Sequence, residues 1–226
     1  MTVYKADSQV SFSYGSPRLF RIACTAARRS VDCADDALVA ILFAAAAIEA
    51  LIFDVGQVAR LPIIDADSKV FATLSSVLEE LESSKASILV KIQMYFQILS
   101  GESLQKGEQP FQDLVLLIEL RNELVHHKPE EIYSAVDVHI RRGKSGKFLT
   151  RLQSRGLVRY DEKQFPDRWT RIIATRVVAN WACETVLDVA TRISLVAKRD
   201  NAIGSSISNI VTVLASEFLQ FVPTGG

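Results

Sequence analysis

Most of the side chains suited to chemistry lie in one short stretch, Leu120-Arg121-Asn122-Glu123-Leu124-Val125-His126-His127-Lys128-Pro129. Here an arginine is followed after four residues by a histidine, and the chain's three histidines all fall between positions 126 and 139. Histidine moves protons near neutral pH because its unperturbed pKa is about 6.5, and the planar arginine fork matches the oxygens of a phosphate. A cation beside a proton carrier is what reaction at a phosphate ester requires: charge stabilisation together with acid–base work.

Sixteen arginines and three histidines will meet at this spacing by chance, so the context has to carry the argument. An apolar helix bearing Phe111, Leu114, Val115 and Ile118 delivers the cluster to its C-terminal end. Asn122 directly follows the arginine, and Pro129 lies three residues beyond His126. The stretch resembles the motif of the HEPN superfamily, an Arg, four to six residues and a His, often with a polar residue after the Arg. Arg121, Asn122 and His126 occupy those positions, and His127 satisfies the looser spacing. Ala47-Ile48-Glu49-Ala50-Leu51-Ile52 more softly resembles the early helix of these bundles.

The resemblance implies a small α-helical bundle, commonly dimeric, and an endoribonuclease that uses neither metal nor cofactor. Such enzymes belong to toxin–antitoxin and phage-defence systems. On that reading Arg121 stabilises the phosphate, His126 transfers protons and Asn122 orients one or the other, with His127 and Glu49 as auxiliaries. The substrate would be RNA such as tRNA or mRNA, cut through a 2′,3′-cyclic phosphate; DNA, lacking the 2′-OH, would survive. A homodimer is expected, and an antitoxin or other protein is a further candidate partner.

Helix geometry supplies its own reason for a dimer. At about 100° per residue, Asn122 and His126 lie about 40° apart, whereas Arg121 and His126 are about 140° apart. One helix cannot aim both at a single phosphate unless the arginine wraps around or the last turn frays. Two copies of the helix facing each other across a two-fold axis remove the difficulty.

Lysine plus arginine balance aspartate plus glutamate at 26 each, so no global field attracts a polyanion. The charge is uneven, however. Arg141 to Arg171 holds ten basic and three acidic residues, a local balance of +7, while Asp32 to Glu131 holds seven and seventeen, a balance of −10. Arg141, Arg142, Lys144, Lys147, Arg151 and Arg155 are therefore candidate RNA contacts on a basic connection, with a solvated surface as the alternative. Gly143-Lys144-Ser145 is not a phosphate-binding loop, since position 138, where the loop needs a glycine, is Val. No HxxxH, HExxH or paired Cys/His spacing suggests a metal site.

Three rivals to catalysis remain at this level. The polar helix end is structural, with Arg121 paired to Glu119 or Glu123; the chain is a non-catalytic module that binds nucleotide, RNA or protein; or it is a helical scaffold. Glu49, set inside an apolar run, must find a partner in any of them: a structural salt bridge or hydrogen bond is the first reading, lining the motif pocket the second, and Arg121 as its partner would satisfy both.

The elements that position these residues are helical nearly throughout. A short helix is expected over Pro17 to Arg28. An Ala-rich central helix starts near Asp32 as its cap and reaches Ala59. A periodic stripe from Val70 to Leu99 is interruptible at Ser83-Ser84 and closes at Gly101. A helix opened by Pro110 ends near His127. Val136 to Ile140 reads as a brief extended piece and Phe148 to Gln153 as one or two turns. One long helix over Asp167 to Lys198 and a last one over Ser205 to Phe221 complete a single all-α domain. In that domain residues 1–30 form an N-terminal extension and 129–166 a basic irregular connection.

With 226 residues, 49% of them hydrophobic, the chain is long enough for one core and unlike a disordered or repetitive sequence. Cys24, Cys33 and Cys183 form no CxxC pair, which fits a reducing compartment. Met1 to Gly15 lacks the basic stub and apolar core of an export signal, and Ala37 to Phe53 is just short for a membrane span and contains Glu49. A cytoplasmic protein with no membrane span is the expectation.

Overall fold

A computed structural model describes residues 13–60, 68–101, 107–126, 144–159, 169–197 and 202–220. Among them the chain is all helical: α1 (Gly15–Arg29), α2 (Ala34–Ala59), α3 (Ser68–Ser83), α4 (Ile88–Ser100), α5 (Phe111–Val125), α6 (Lys144–Ser154), α7 (Trp169–Ile173), α8 (Arg176–Ala197) and α9 (Ala202–Leu219). The extended piece expected at Val136 to Ile140 lies outside the described residues.

α2 is the axis of the bundle. It packs against α1, α3, α4, α5, α7, α8 and α9, and Ala37, Ala40, Ala44, Ala45 and Ala47 have no exposed surface. Their small side chains let neighbouring backbones approach closely while Ile41, Ile48 and Leu51 fill the gaps between them. Among the described residues α2 is the one helix long and apolar enough to cross a membrane, and just over half of its most apolar stretch is buried inside the bundle.

α1 lies antiparallel to α2. At one end the Asp54 carboxylate accepts from the Gly15 N–H (3.1 Å), the Ser16 N–H (2.9 Å) and the Ser16 hydroxyl (2.6 Å). At the other, Arg29 pairs with Asp36 at 3.0 Å. Residues 15–29, expected within an N-terminal extension, are thus part of the core. Asp32 does not cap α2: its own N–H donates to Arg29 O at 3.0 Å in the α1–α2 turn, and Cys33 takes the cap position without a side-chain bond. The turn uses up Asp32, and the helix starts two residues later.

The interruption at Ser83-Ser84 is a full break between α3 and α4, closed by Lys85 at φ 55° and by the Ala86 N–H donating to Leu81 O (2.8 Å). Gly101 ends α4 at φ 73°, where its lack of a Cβ admits the left-handed conformation. The single long helix expected over Asp167 to Lys198 is two. α7 stops at Ile173, and Thr175 opens α8 by accepting the Val178 N–H at 3.3 Å.

Deeper in the bundle, fully buried Tyr95 of α4 donates its hydroxyl to Ile193 O of α8 (2.8 Å), and burial raises its pKa far above the usual phenol value. Cys24 and Cys183 meet between α1 and α8; a hydrogen bond to Cys24, then burial, pushes the Cys183 thiol up.

Candidate functional site

α5 carries the motif at its C-terminal end. Phe111, Leu114, Leu116, Leu117 and Leu120 are buried and fix its rotation, which leaves Arg121 half-buried at the rim and Asn122, Val125 and His126 exposed. His126 is the C-cap, and its N–H donates to Asn122 O at 2.9 Å. Among the described residues its imidazole makes no hydrogen bond.

Arg121 crosses to α2. Its Nη2 stands 3.1 Å from Glu49 Oε1 and 3.3 Å from Oε2, and its Nη1 donates to Asn122 Oδ1 at 2.9 Å. Glu49 thus has Arg121 as its partner, and among the described residues Arg121 pairs with neither of the α5 acids, Glu119 or Glu123, expected on the structural reading. The Arg121 and Glu49 side chains keep 29% and 41% of their surface, so water and a charged ligand both reach the pair. Such an exposed pair adds little stability by itself. Its geometric effect is larger, because Glu49 and Asn122 grip both ends of the guanidinium and fix its plane.

The basic connection meets α5 on a different side. Arg151 of α6 pairs with Glu119, and Arg155 pairs with Asp113 while its Nη2 reaches Gln112 Oε1 at 3.5 Å. Glu119 and Arg121 are two residues apart, about 200° around the helix, so Glu49 and Arg151 hold opposite sides of α5. Glu119 and His126 are seven residues apart and share a side. Arg151 therefore stands over the histidine side and Glu49 over the arginine side. Phe148, Leu149 and Leu152 seat α6 beneath these pairs, with Phe148 edge-on to Trp169 at 5.0 Å. Arg151 and Arg155, read as RNA contacts, thus serve first as ties between α6 and α5. Lys144 and Lys147 fall on α6 with side chains outside the described residues, as do Arg141, Arg142 and His127 altogether.

One acidic feature was not singled out in the sequence. Glu184 and Asp188 stand one turn apart on α8; partial burial raises both carboxyls above their usual range, helped by Asp188 in the first case and by Asp113 in the second. Among the described residues no group of three or more His, Cys, Asp or Glu could hold a metal ion. The chain matches no family model, no curated protein and no solved structure.

Proposed function

We propose that the chain is a metal-independent endoribonuclease of the HEPN type, acting as a homodimer. The observation that carries this reading is the orientation of Arg121, clamped between Glu49 and Asn122 at the solvent-open end of α5, one helical turn from His126. A fixed guanidinium with accessible donors suits a phosphodiester, and an exposed imidazole at the same end of α5, supplied by a partner copy, suits proton transfer to or from the ribose 2′-OH and the 5′ leaving oxygen.

The dimer supplies what one chain lacks, since Arg121 and His126 leave α5 on different sides. The outer side of α2 carries Leu42, Ala46, Glu49 and Phe53 at spacings of four, three and four, all half-buried or exposed. Phe53 and Val125 keep 53% and 54% of their surface. A second copy laid on that stripe covers these apolar side chains and sets its own motif helix beside the first. A role in toxin–antitoxin or defence biology, a cytoplasmic location and an antitoxin partner follow from the motif's resemblance alone.

The pairing of Arg121 with Glu49 also favours a second reading, a non-catalytic module that binds nucleotide, RNA or protein, because the cation is already neutralised. Cleavage of a labelled RNA panel including tRNA, in EDTA, by wild type, Arg121→Ala and His126→Ala separates the two. Cyclic-phosphate products lost in both variants, with fold and dimer intact, establish the ribonuclease. No cleavage by the wild type leaves the binding module, and cleavage surviving both substitutions refutes the assigned site.

A further inference from the structure

α1 places four arginines and no acid in 15 residues. Arg18, Arg21, Arg28 and Arg29 fall within an arc of about 100° on the helix, opposite the buried side formed by Ser16, Phe20, Ala23, Cys24 and Ala27. All four are exposed. Arg29 is paired with Asp36. Among the described residues Arg18, Arg21 and Arg28 have no carboxylate partner.

Local helix electrostatics do not account for this arrangement. Arg28, in the last turn, gains from the helix dipole, but Arg18 and Arg21 stand nearer the N-terminus, where the dipole disfavours cations, and they repel each other one turn apart. Neither has a Glu on α1 to offset it. Three guanidinium forks without a carboxylate among the described residues thus form a row about 15 Å long on a bundle whose 32–131 region is net negative. The row begins at the level of the candidate site: a Cβ added at Gly15 would lie 3.8 Å from the Ala50 Cβ, next to Glu49.

We infer that the outer face of α1 is a binding surface for the phosphate backbone of RNA, with Arg18, Arg21 and Arg28 each contacting a phosphate. Arginine is suited to this because its fork meets two phosphate oxygens at once. The apolar side of α1 is used up in the core, so the helix has nothing to insert into a lipid bilayer. The identity of the polyanion rests on the ribonuclease reading; the surface itself does not.

The test is the salt dependence of binding of a fluorescent single-stranded RNA to the full chain in EDTA, for the wild type, for Arg18→Gln/Arg21→Gln/Arg28→Gln, and for Lys69→Gln, an exposed cation on α3 outside the row. Neutralising three phosphates on a single strand contributes about 2 to the slope of log K against log salt, so the triple variant is expected to lose about that much while Lys69→Gln stays close to the wild-type slope. Circular dichroism confirms that α1 still folds. An unchanged slope in the triple variant overturns the inference and leaves the ribonuclease reading standing. A reduced slope without cleavage by the wild type upholds the surface and removes the ribonuclease. A wild type that binds anionic vesicles or self-associates through these arginines, and binds no RNA, overturns both.

Discussion

Asp54 holds Ser16 twice, through its backbone N–H at 2.9 Å and its hydroxyl at 2.6 Å, so that the first turn of α1 is capped by a carboxylate from the neighbouring helix. Cap residues ordinarily come from the chain just before the helix, yet Tyr14, in that position here, makes no side-chain cap bond. Since Asp54 is 5% exposed, its removal leaves two buried donors of Ser16 without a partner, while the third, on exposed Gly15, can turn to water. Asp54→Ala is expected to cost about 2–3 kcal/mol in urea unfolding, and Asp54→Asn, which keeps an acceptor, less.

Glu49→Ala tests the clamp on Arg121 apart from the arginine itself. Because the pair is partly exposed, stability should change by less than about 1 kcal/mol in thermal or urea melts. On the ribonuclease reading, a guanidinium freed to swing loses its alignment, and cleavage should fall between about ten- and a hundred-fold. Glu49→Gln, whose amide oxygen still accepts a hydrogen bond, should restore part of it. Unaltered rates in both variants would show that the clamp does not position the arginine for chemistry.

The raised carboxyls on α8 give a pH signature with a definite sign. Burial sets the folded pKa of Glu184 and Asp188 above the unfolded value, so the folded state holds more protons in that window and its stability falls as pH rises through it. Above that window both groups are charged at a cost. Glu184→Gln and Asp188→Asn should therefore raise the melting midpoint at pH 7, with the gain closing as pH drops toward about 4. A gain that grows on acidification would contradict the assignment.

Thiol chemistry should divide the three cysteines sharply. Cys33 is exposed whereas Cys24 and Cys183 are buried and meet each other, and the Cys183 thiol is pushed up. In the native state a chromogenic disulfide reagent should label Cys33 alone, and Cys33→Ser should abolish the fast phase. Rapid labelling of all three would show that α1 opens from α8.

α6 is held to α5 by the Arg151–Glu119 and Arg155–Asp113 pairs over a small apolar seat. Arg155 and Asp113 each keep 20% of their side-chain surface, against 37% and 48% for Arg151 and Glu119. The more shielded pair should matter more. Arg155→Ala is expected to make the 144–159 segment noticeably easier to cut by limited proteolysis, and Arg151→Ala to have a smaller effect.

How much of this was legible in the sequence varies by element. The Val70 to Leu99 stripe and its break at Ser83-Ser84 were readable because apolar spacing and helix propensity are local. The α7–α8 break was not, since neither Gly nor Pro marks it; Thr175 as a cap was the available sign. Asp32 was misleading because cap preference does not tell a helix start from the turn before it. At the site, Arg121, Asn122 and His126 could be found by spacing; Glu49 as the partner of Arg121 could be raised from its place in an apolar run, but it stands 72 positions away and only packing selects it over Glu119 and Glu123. The basic connection drew attention through its density of charge, although Arg151 and Arg155 turn out to be internally paired. Arg18, Arg21 and Arg28 were overlooked, their sign being four arginines without an acid in 15 residues.

The central position of α2 also sets a timetable. The ribosome completes α2 about 120 residues before it begins α8, one of the helices that cover it. At about 5–20 residues per second that leaves about 6–24 s in which α2, among the described residues the one helix long and apolar enough to cross a membrane, has α1 and then the emerging α3, α4 and α5 as shelter but not α8 or α9. For that interval the nascent chain presents a segment that a membrane insertase or a chaperone could mistake for a transmembrane helix. The α1–α2 hairpin, with its Asp54 cap and its Arg29–Asp36 tie, is thereby the part of the molecule that must hold first.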